Sequence, residues 1–180
     1  LEEAFLIGNS SANVGVILFV DYGCAACRAF EQHVMADFLE TYVKAGRVQL
    51  AIWPLPLPTR GAAAIREANT VRCAGQSAKF LEAHTALLLR PSRNDDPAAV
   101  VSTATRISQD TLESCIASQS STHEGGLRAA KVLGLRGTPA FAFGNVEGSE
   151  IRVTSVREGT DSDPSSFFTS IDSLIRAGGS

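Results

Sequence analysis

The sequence predicts an α/β protein: a mixed central sheet built as βαβ and then ββα, with helices on both faces and a helical block inserted between the two halves. Three observations carry this expectation. "VGVILFV" (14–20) and "VQLAIW" (48–53) are apolar runs flanking a stretch of helical periodicity, which is a βαβ unit. Residues 61–118 then read as helices. "TPAFAFG" (138–144) and "IRVTSV" (151–156) alternate like the strands of a hairpin, ahead of one last amphipathic segment.

Taken in order, the first run is rich in β-branched residues and ends in a turn signal, which fits a strand buried on both faces. Phe30, Val34, Phe38 and Leu39 recur at helical spacing, with Glu31, Gln32, Asp37 and Glu40 between them. A helix is expected from near Cys24 to near Lys44, with Gly46 as its C-terminal signal. "PLPLP" (54–58) ends the second strand, because proline neither donates to a ladder nor continues a helix. Residues 61–90, rich in Ala, Leu and Glu with Gly75 as an interior breaker, read as one or two helices. Asp96–Pro97 looks like an N-cap followed by proline at the first helical position, and helices over 97–106 and 109–118 follow. Ser121 and Glu124 have capping-box spacing at the start of a helix that reaches Leu133. A turn around Asn145–Gly148 joins the hairpin, and Asp163–Pro164 opens a helix with Phe167, Phe168, Ile171, Leu174 and Ile175 on its core side.

Composition bounds the function classes. The 180 residues suffice for one hydrophobic core with an insertion, and 44% hydrophobic with 19% charged residues is an ordinary globular balance. A net charge of −3 without a Lys/Arg block argues against nucleic acid and against an electrostatic membrane patch. No apolar stretch is long enough to span a bilayer. Residues 1–13 lack the basic start and apolar middle of a signal peptide, and a chain opening on Leu1 leaves room for an upstream signal or anchor.

The chemistry is concentrated in "FVDYGCAAC" (19–27). At a helix start the first N–H groups lack partners and the dipole's positive end stabilises an anion, so a cysteine there has a lowered pKa. Cys24 would sit at that point as the attacking thiolate. Cys27, one turn later on the same side, would be the more buried resolving thiol that closes the Cys24–Cys27 bond. Two rival readings are weaker. Structural zinc needs more ligands than one CxxC, and His33, His84 and His123 show no paired ligand spacing, so no metal is expected. A purely structural Cys24–Cys27 bridge closes too short a loop to stabilise much. His84, on "FLEAHTALL", and Trp53, before the proline-rich turn, read as packing residues rather than catalytic or substrate-stacking ones. Cys73 and Cys115 are either two separate core thiols or a bonded pair.

"FVDYGCAAC", followed by "GTPAF" at 137–141, resembles the DsbA-like thioredoxin family. The likeness runs through "IGNSSANVGVILFVDY" (7–22), "CAGQSAKFLEAHTALL" (73–88) and "AAKVLGLRGTPAFAFG" (129–144), which is nearly the whole chain. It implies a thioredoxin fold formed by residues 1–60 and 123–180, with an inserted helical subdomain over 61–122. It further implies a periplasmic or otherwise extracytoplasmic thiol–disulfide oxidoreductase, monomeric and needing no cofactor. Its partners would be cysteine-containing secreted or periplasmic proteins and a membrane partner that resets its redox state, with no nucleic acid. By the same resemblance the Thr138–Pro139 bond is cis and lies against the CxxC, with Thr138 offering backbone hydrogen bonds to an extended substrate. Some relatives carry a cysteine pair at places similar to Cys73 and Cys115, which an oxidising compartment would bond.

Departures from the family pattern bear on mechanism. Ala25–Ala26 stands where relatives usually carry a proline and often a His or Tyr, so the stabilisation of Cys24 is expected to rest mainly on backbone N–H groups and the dipole. Leu18 occupies the place of a buried carboxylate that would accept a proton from the resolving thiol. Asp21, the nearest carboxylate, matches an acidic position in many relatives; it either takes that proton role or finishes the strand and caps the helix. An oxidase is the leading expectation, with a reductase or isomerase as its rival. Isomerases of related fold carry an extra N-terminal dimerisation domain, for which a core strand starting near Val14 leaves no room. A binding or chaperone-like module with an idle CxxC is the alternative from another class.

Overall fold

The computed structural model describes residues 4–119, 123–159 and 165–178. Five strands form one sheet in the order β1-β3-β2-β4-β5: β1 (Phe5–Ile7), β2 (Val14–Val20), β3 (Val48–Pro54), β4 (Ala140–Glu147) and β5 (Glu150–Glu158). β2 and β3 are parallel, whereas β1 on β3, β4 on β2 and β5 on β4 are antiparallel. Every residue of β2 is buried, because its two faces meet two different helical layers. Val16 and Leu18 face a core shared with Phe30, Phe38, Phe141 and Phe167. Ile17 and Phe19 face the opposite core, with Trp53 and Ala130.

The crossover α1 runs over residues 25–43. It is α-helical over Ala25–Phe30 and Ala36–Phe38 and π-wound over Glu31–Met35 and Leu39–Val43, where the sequence pattern had suggested one uniform helix. Residues 61–90 divide into α2 (Ala62–Gln76) and α3 (Phe80–Leu89). The break falls at Ser77–Lys79, where Ala78 takes a φ of 58° and Lys79 N–H returns to Ala74 O at 3.0 Å. Gly75, read as a breaker, lies inside α2 because the Phe5 ring occupies the space a Cβ would need. Next come α4 (Pro97–Thr105), capped by Asp96 accepting from Ala99 N–H at 3.0 Å, and α5 (Gln109–Ser118), capped by Ser108. Helices α2 to α5 pack on one another, and a Cys73–Cys115 disulfide ties α2 to α5.

α6 (Glu124–Val132) covers the second face of the sheet, and α7 (Ser165–Gly178) returns to the first. Ser121 and Asp163–Pro164, expected to open these helices, lie outside the described residues. Two further features differ from the sequence reading. β1 was not expected, since a three-residue edge strand is too short to show a period. The hairpin strands are longer than the alternation suggested: Asn145 pairs with Arg152 and Glu147 with Glu150, across a register shift at Phe143/Gly144. The connection is therefore Gly148–Ser149 alone, with Gly148 at φ 64°.

Candidate active site

The site grows out of the C-terminal end of β2. Asp21, Tyr22 and Gly23 form a tight turn, closed by Cys24 N–H donating to Asp21 O at 3.0 Å. Cys24 is the N-cap of α1, with φ −77° and ψ 125°, so its side chain faces the unpaired N–H groups of the first turn. Its sulfur accepts from Cys27 N–H at 3.3 Å. Both cysteines are free thiols; Cys24 is half-buried and Cys27 is 2% exposed.

From 114 residues away the loop before β4 brings Thr138 against the same sulfur, with Cys24 Sγ donating to Thr138 O at 3.1 Å. The Thr138–Pro139 peptide bond is cis, and Pro139 O accepts from Gly159 N–H at 2.7 Å. The Thr138 Oγ1 hydroxyl is buried with no hydrogen-bond partner among the described residues, and Thr138 lowers the Cys24 pKa. Thr138 can therefore serve both protonation states: its carbonyl accepts from the thiol, and its hydroxyl donates to the thiolate.

These contacts separate the two cysteines. Cys24 is lowered to about 5. The largest cause is a hydrogen bond from the Cys27 thiol; burial opposes it, and Thr138 and the Cys27 and Ala26 N–H groups add to it. The sequence reading assigned this stabilisation mainly to backbone N–H groups and the dipole, because Ala25 and Ala26 carry no donor. The missing donors come from Cys27 itself and from the distant loop. Cys27 moves the opposite way, pushed far above an ordinary thiol by burial first, then by its hydrogen bond to Cys24 and that sulfur's negative charge. One sulfur is an accessible anion and the other a protonated, shielded thiol.

Asp21 is 1% exposed, and its carboxylate is fully engaged. Oδ1 accepts from Gly23 N–H at 2.9 Å and also pairs with Arg60, while Oδ2 accepts from Leu57 N–H at 2.9 Å. The Arg60 guanidinium lies over Gly23 where a side chain would otherwise begin, and also binds Glu67 at 2.7 Å. Glu67 in turn pairs with Arg90 at 2.5 Å, and Arg90 reaches back to Tyr22 O at 3.2 Å. A second polar chain lies alongside. Tyr22 Oη is 3.1 Å from His84 Nδ1, His84 Nε2 is 3.4 Å from Glu31 Oε2, and Thr85 donates to Glu31. Burial raises the Tyr22 phenol well above its usual value, with the Glu31 and Asp21 charges adding to it. Burial works against ionisation of Glu31, yet the His84 and Thr85 hydrogen bonds win and hold it below the usual carboxylate value.

Sequence reasoning missed Arg60, Glu67, Arg90 and Glu31. The signal available was a charge on a helix's core-facing side: Glu31 follows Cys27 by one turn, beside Phe30 and Val34. His84 is fully buried and hydrogen-bonded, and Trp53 stacks on Phe19 with ring centroids 5.7 Å apart.

A family model described as thioredoxin matches residues 1–157, a span that holds both the CxxC turn and the Thr138–Pro139 loop. The chain belongs to the thioredoxin family. Solved structures similar to this thioredoxin-family chain include Wolbachia pipientis alpha-DsbA1, at 19% identity and a TM-score of 0.79, covering 99% of this chain and 94% of that one. Oxidised BdbD from Bacillus subtilis matches at 15% identity and 0.78, covering 97% and 94%. The catalytic domain of Proteus mirabilis ScsC matches at 21% identity and 0.71, covering 97% and 90%. The fold is thus that of DsbA-like thioredoxins. Comparison with curated proteins returned no match.

Proposed function

We propose that this protein is a thiol–disulfide oxidoreductase that transfers the Cys24–Cys27 disulfide to cysteine-containing proteins outside the cytoplasm. The observation that carries the reading is the opposed ionisation of the two sulfurs, Cys24 at about 5 and Cys27 held protonated. A thiolate stabilised in the reduced protein favours that state, which makes the disulfide an oxidant.

The steps follow from the geometry. A substrate thiolate attacks Cys24 Sγ, the more exposed sulfur, forming a substrate–Cys24 disulfide and releasing Cys27, which takes up a proton. A second substrate thiolate then attacks its own partner sulfur in that mixed disulfide. Cys24 leaves as a stabilised thiolate, the better leaving group, and the substrate departs with a new disulfide. The protein has gained two electrons, which a membrane redox partner would remove. Thr138 and Pro139 form the edge on which the substrate segment lies. Asp21 acts as the clamp of the turn rather than as the proton acceptor, because all its contacts are structural. We read residues 1–60 and 123–180 as the catalytic thioredoxin-like unit and 61–122 as the inserted helical one. The Cys73–Cys115 disulfide supports an oxidising compartment. Among the described residues no helix is long and apolar enough to cross a membrane.

Oxidation of a reduced two-cysteine peptide, with glutathione disulfide as terminal oxidant, tests the assignment. The wild type should turn over and Cys24→Ser should not; catalysis retained by Cys24→Ser would refute it. A binding module with an idle CxxC predicts instead that replacing both cysteines with alanine leaves partner capture intact.

A further inference from the structure

We infer that a cleft beside the cis-proline loop is a second subsite, which takes an apolar side chain flanked by an acidic residue on an unfolded substrate segment. The inference rests on the oxidoreductase reading and names the kind of chain it favours. The cleft measures about 390 Å³ and opens at the C-terminal edge of the sheet, on the α6 side. Its walls are apolar: Leu55 and Leu57 follow β3, Leu127 comes from α6, and Leu135 from the loop after it. Leu127 is 38% exposed, a large apolar side chain turned toward solvent. Lys131 and Arg136 stand exposed on the rim. Neither has a carboxylate partner among the salt bridges of the described residues, whereas eight of the other fourteen basic side chains have one. The carboxylate at this edge, Glu158, accepts from the backbone N–H groups of Arg136 and Gly137.

Two arguments select the occupant. Two exposed cationic side chains free of salt bridges beside an apolar floor complement an acidic, apolar segment and disfavour a basic one. The cleft is also continuous with the reacting sulfur, since Gly137 lines it and the next residue, Thr138, touches Cys24 Sγ through its carbonyl. A segment disulfide-bonded to Cys24 therefore needs only a few residues of extended chain to reach it. Open space where Gly134 and Gly137 would carry a Cβ keeps that path clear.

The experiment compares oxidation of three substrates by the full chain: a two-cysteine peptide with a Leu–Asp tail, the same peptide with a Ser–Lys tail, and dithiothreitol, which has no tail. The Leu–Asp peptide should exceed the Ser–Lys peptide in kcat/KM by about fivefold at low salt, with the ratio shrinking as salt is added. Lys131→Glu with Arg136→Glu should invert that ratio, and Leu127→Asn should lower it without inverting it. Turnover of dithiothreitol with equal rates on both tails would overturn the cleft and leave the oxidoreductase standing. No turnover of dithiothreitol would overturn the oxidoreductase reading and the cleft with it. Concentration-dependent dimerisation abolished by Leu127→Asn would show that a second copy fills the cleft, which also overturns the inference.

Discussion

At the scale of single residues, the reactivity of Cys24 is set by what points at its sulfur. Its largest support is the Cys27 thiol, followed among the stabilising contacts by Thr138. Cys27→Ala should therefore raise the Cys24 pKa from about 5 toward the ordinary thiol range, and Thr138→Val should raise it by less. Ultraviolet absorbance of the thiolate against pH measures both. Equal pKa values in all three proteins would contradict the account of the site. Substituting His for Ala26 adds a donor and should lower the pKa further. Gly23 is a positional requirement of another kind. A Cβ there would overlap the Arg60 guanidinium, which two carboxylates hold in place. Gly23→Ala should cost about 1–3 kcal/mol in denaturant unfolding, as overpacking at a constrained contact does.

Elements meet at the Asp21–Arg60–Glu67–Arg90 chain, which links the turn before Cys24, the loop after β3 and helices α2 and α3. Glu67 and Arg90 have side chains only 4% and 2% exposed, so removing one partner leaves the other charge buried alone. Glu67→Gln should destabilise the protein by about 3–5 kcal/mol. The Cys73–Cys115 bond closes a loop of 42 residues, which corresponds to about 4 kcal/mol of unfolded-state restriction. A Cys73→Ser, Cys115→Ser double variant should lose up to that amount while keeping thiol turnover. This scale is also where the sequence became hard to read. Strands β2 to β5 and the helices were legible because each carries its own period or cap. β1 is three residues long and carries none. Arg60, Glu67 and Arg90 come from three separate segments, and each is a lone polar residue until packing brings them together. Cys24 and Cys27 could be read from local chemistry. Thr138 and Pro139 could not, because their contact with Cys24 exists only in the folded chain, and the family resemblance supplied them.

For the whole molecule, the opposed sulfurs couple redox state to stability and pH. In the unfolded reduced chain Cys24 keeps its proton up to the ordinary thiol range, whereas in the folded protein it loses it near about 5. Between these values the unfolded state binds more protons, so stability of the reduced form rises with pH, and that gain is lost as pH falls through about 5. Cys27, raised when folded, reverses the trend above the ordinary thiol range. The oxidised protein titrates neither sulfur. Its stability, subtracted from that of the reduced form, should leave a difference that climbs between about pH 5 and about pH 8. Parallel urea titrations of the two forms across that range measure it. The central claim, that the Cys24–Cys27 disulfide is an oxidant, is tested most directly by its reduction potential in glutathione redox buffers. A thiolate at about 5 places the pair between reducing thioredoxins, near about −270 mV, and the strongest DsbA-type oxidants, near about −120 mV. The account predicts about −200 mV; a value at or below about −270 mV would contradict it and make the protein a reductase.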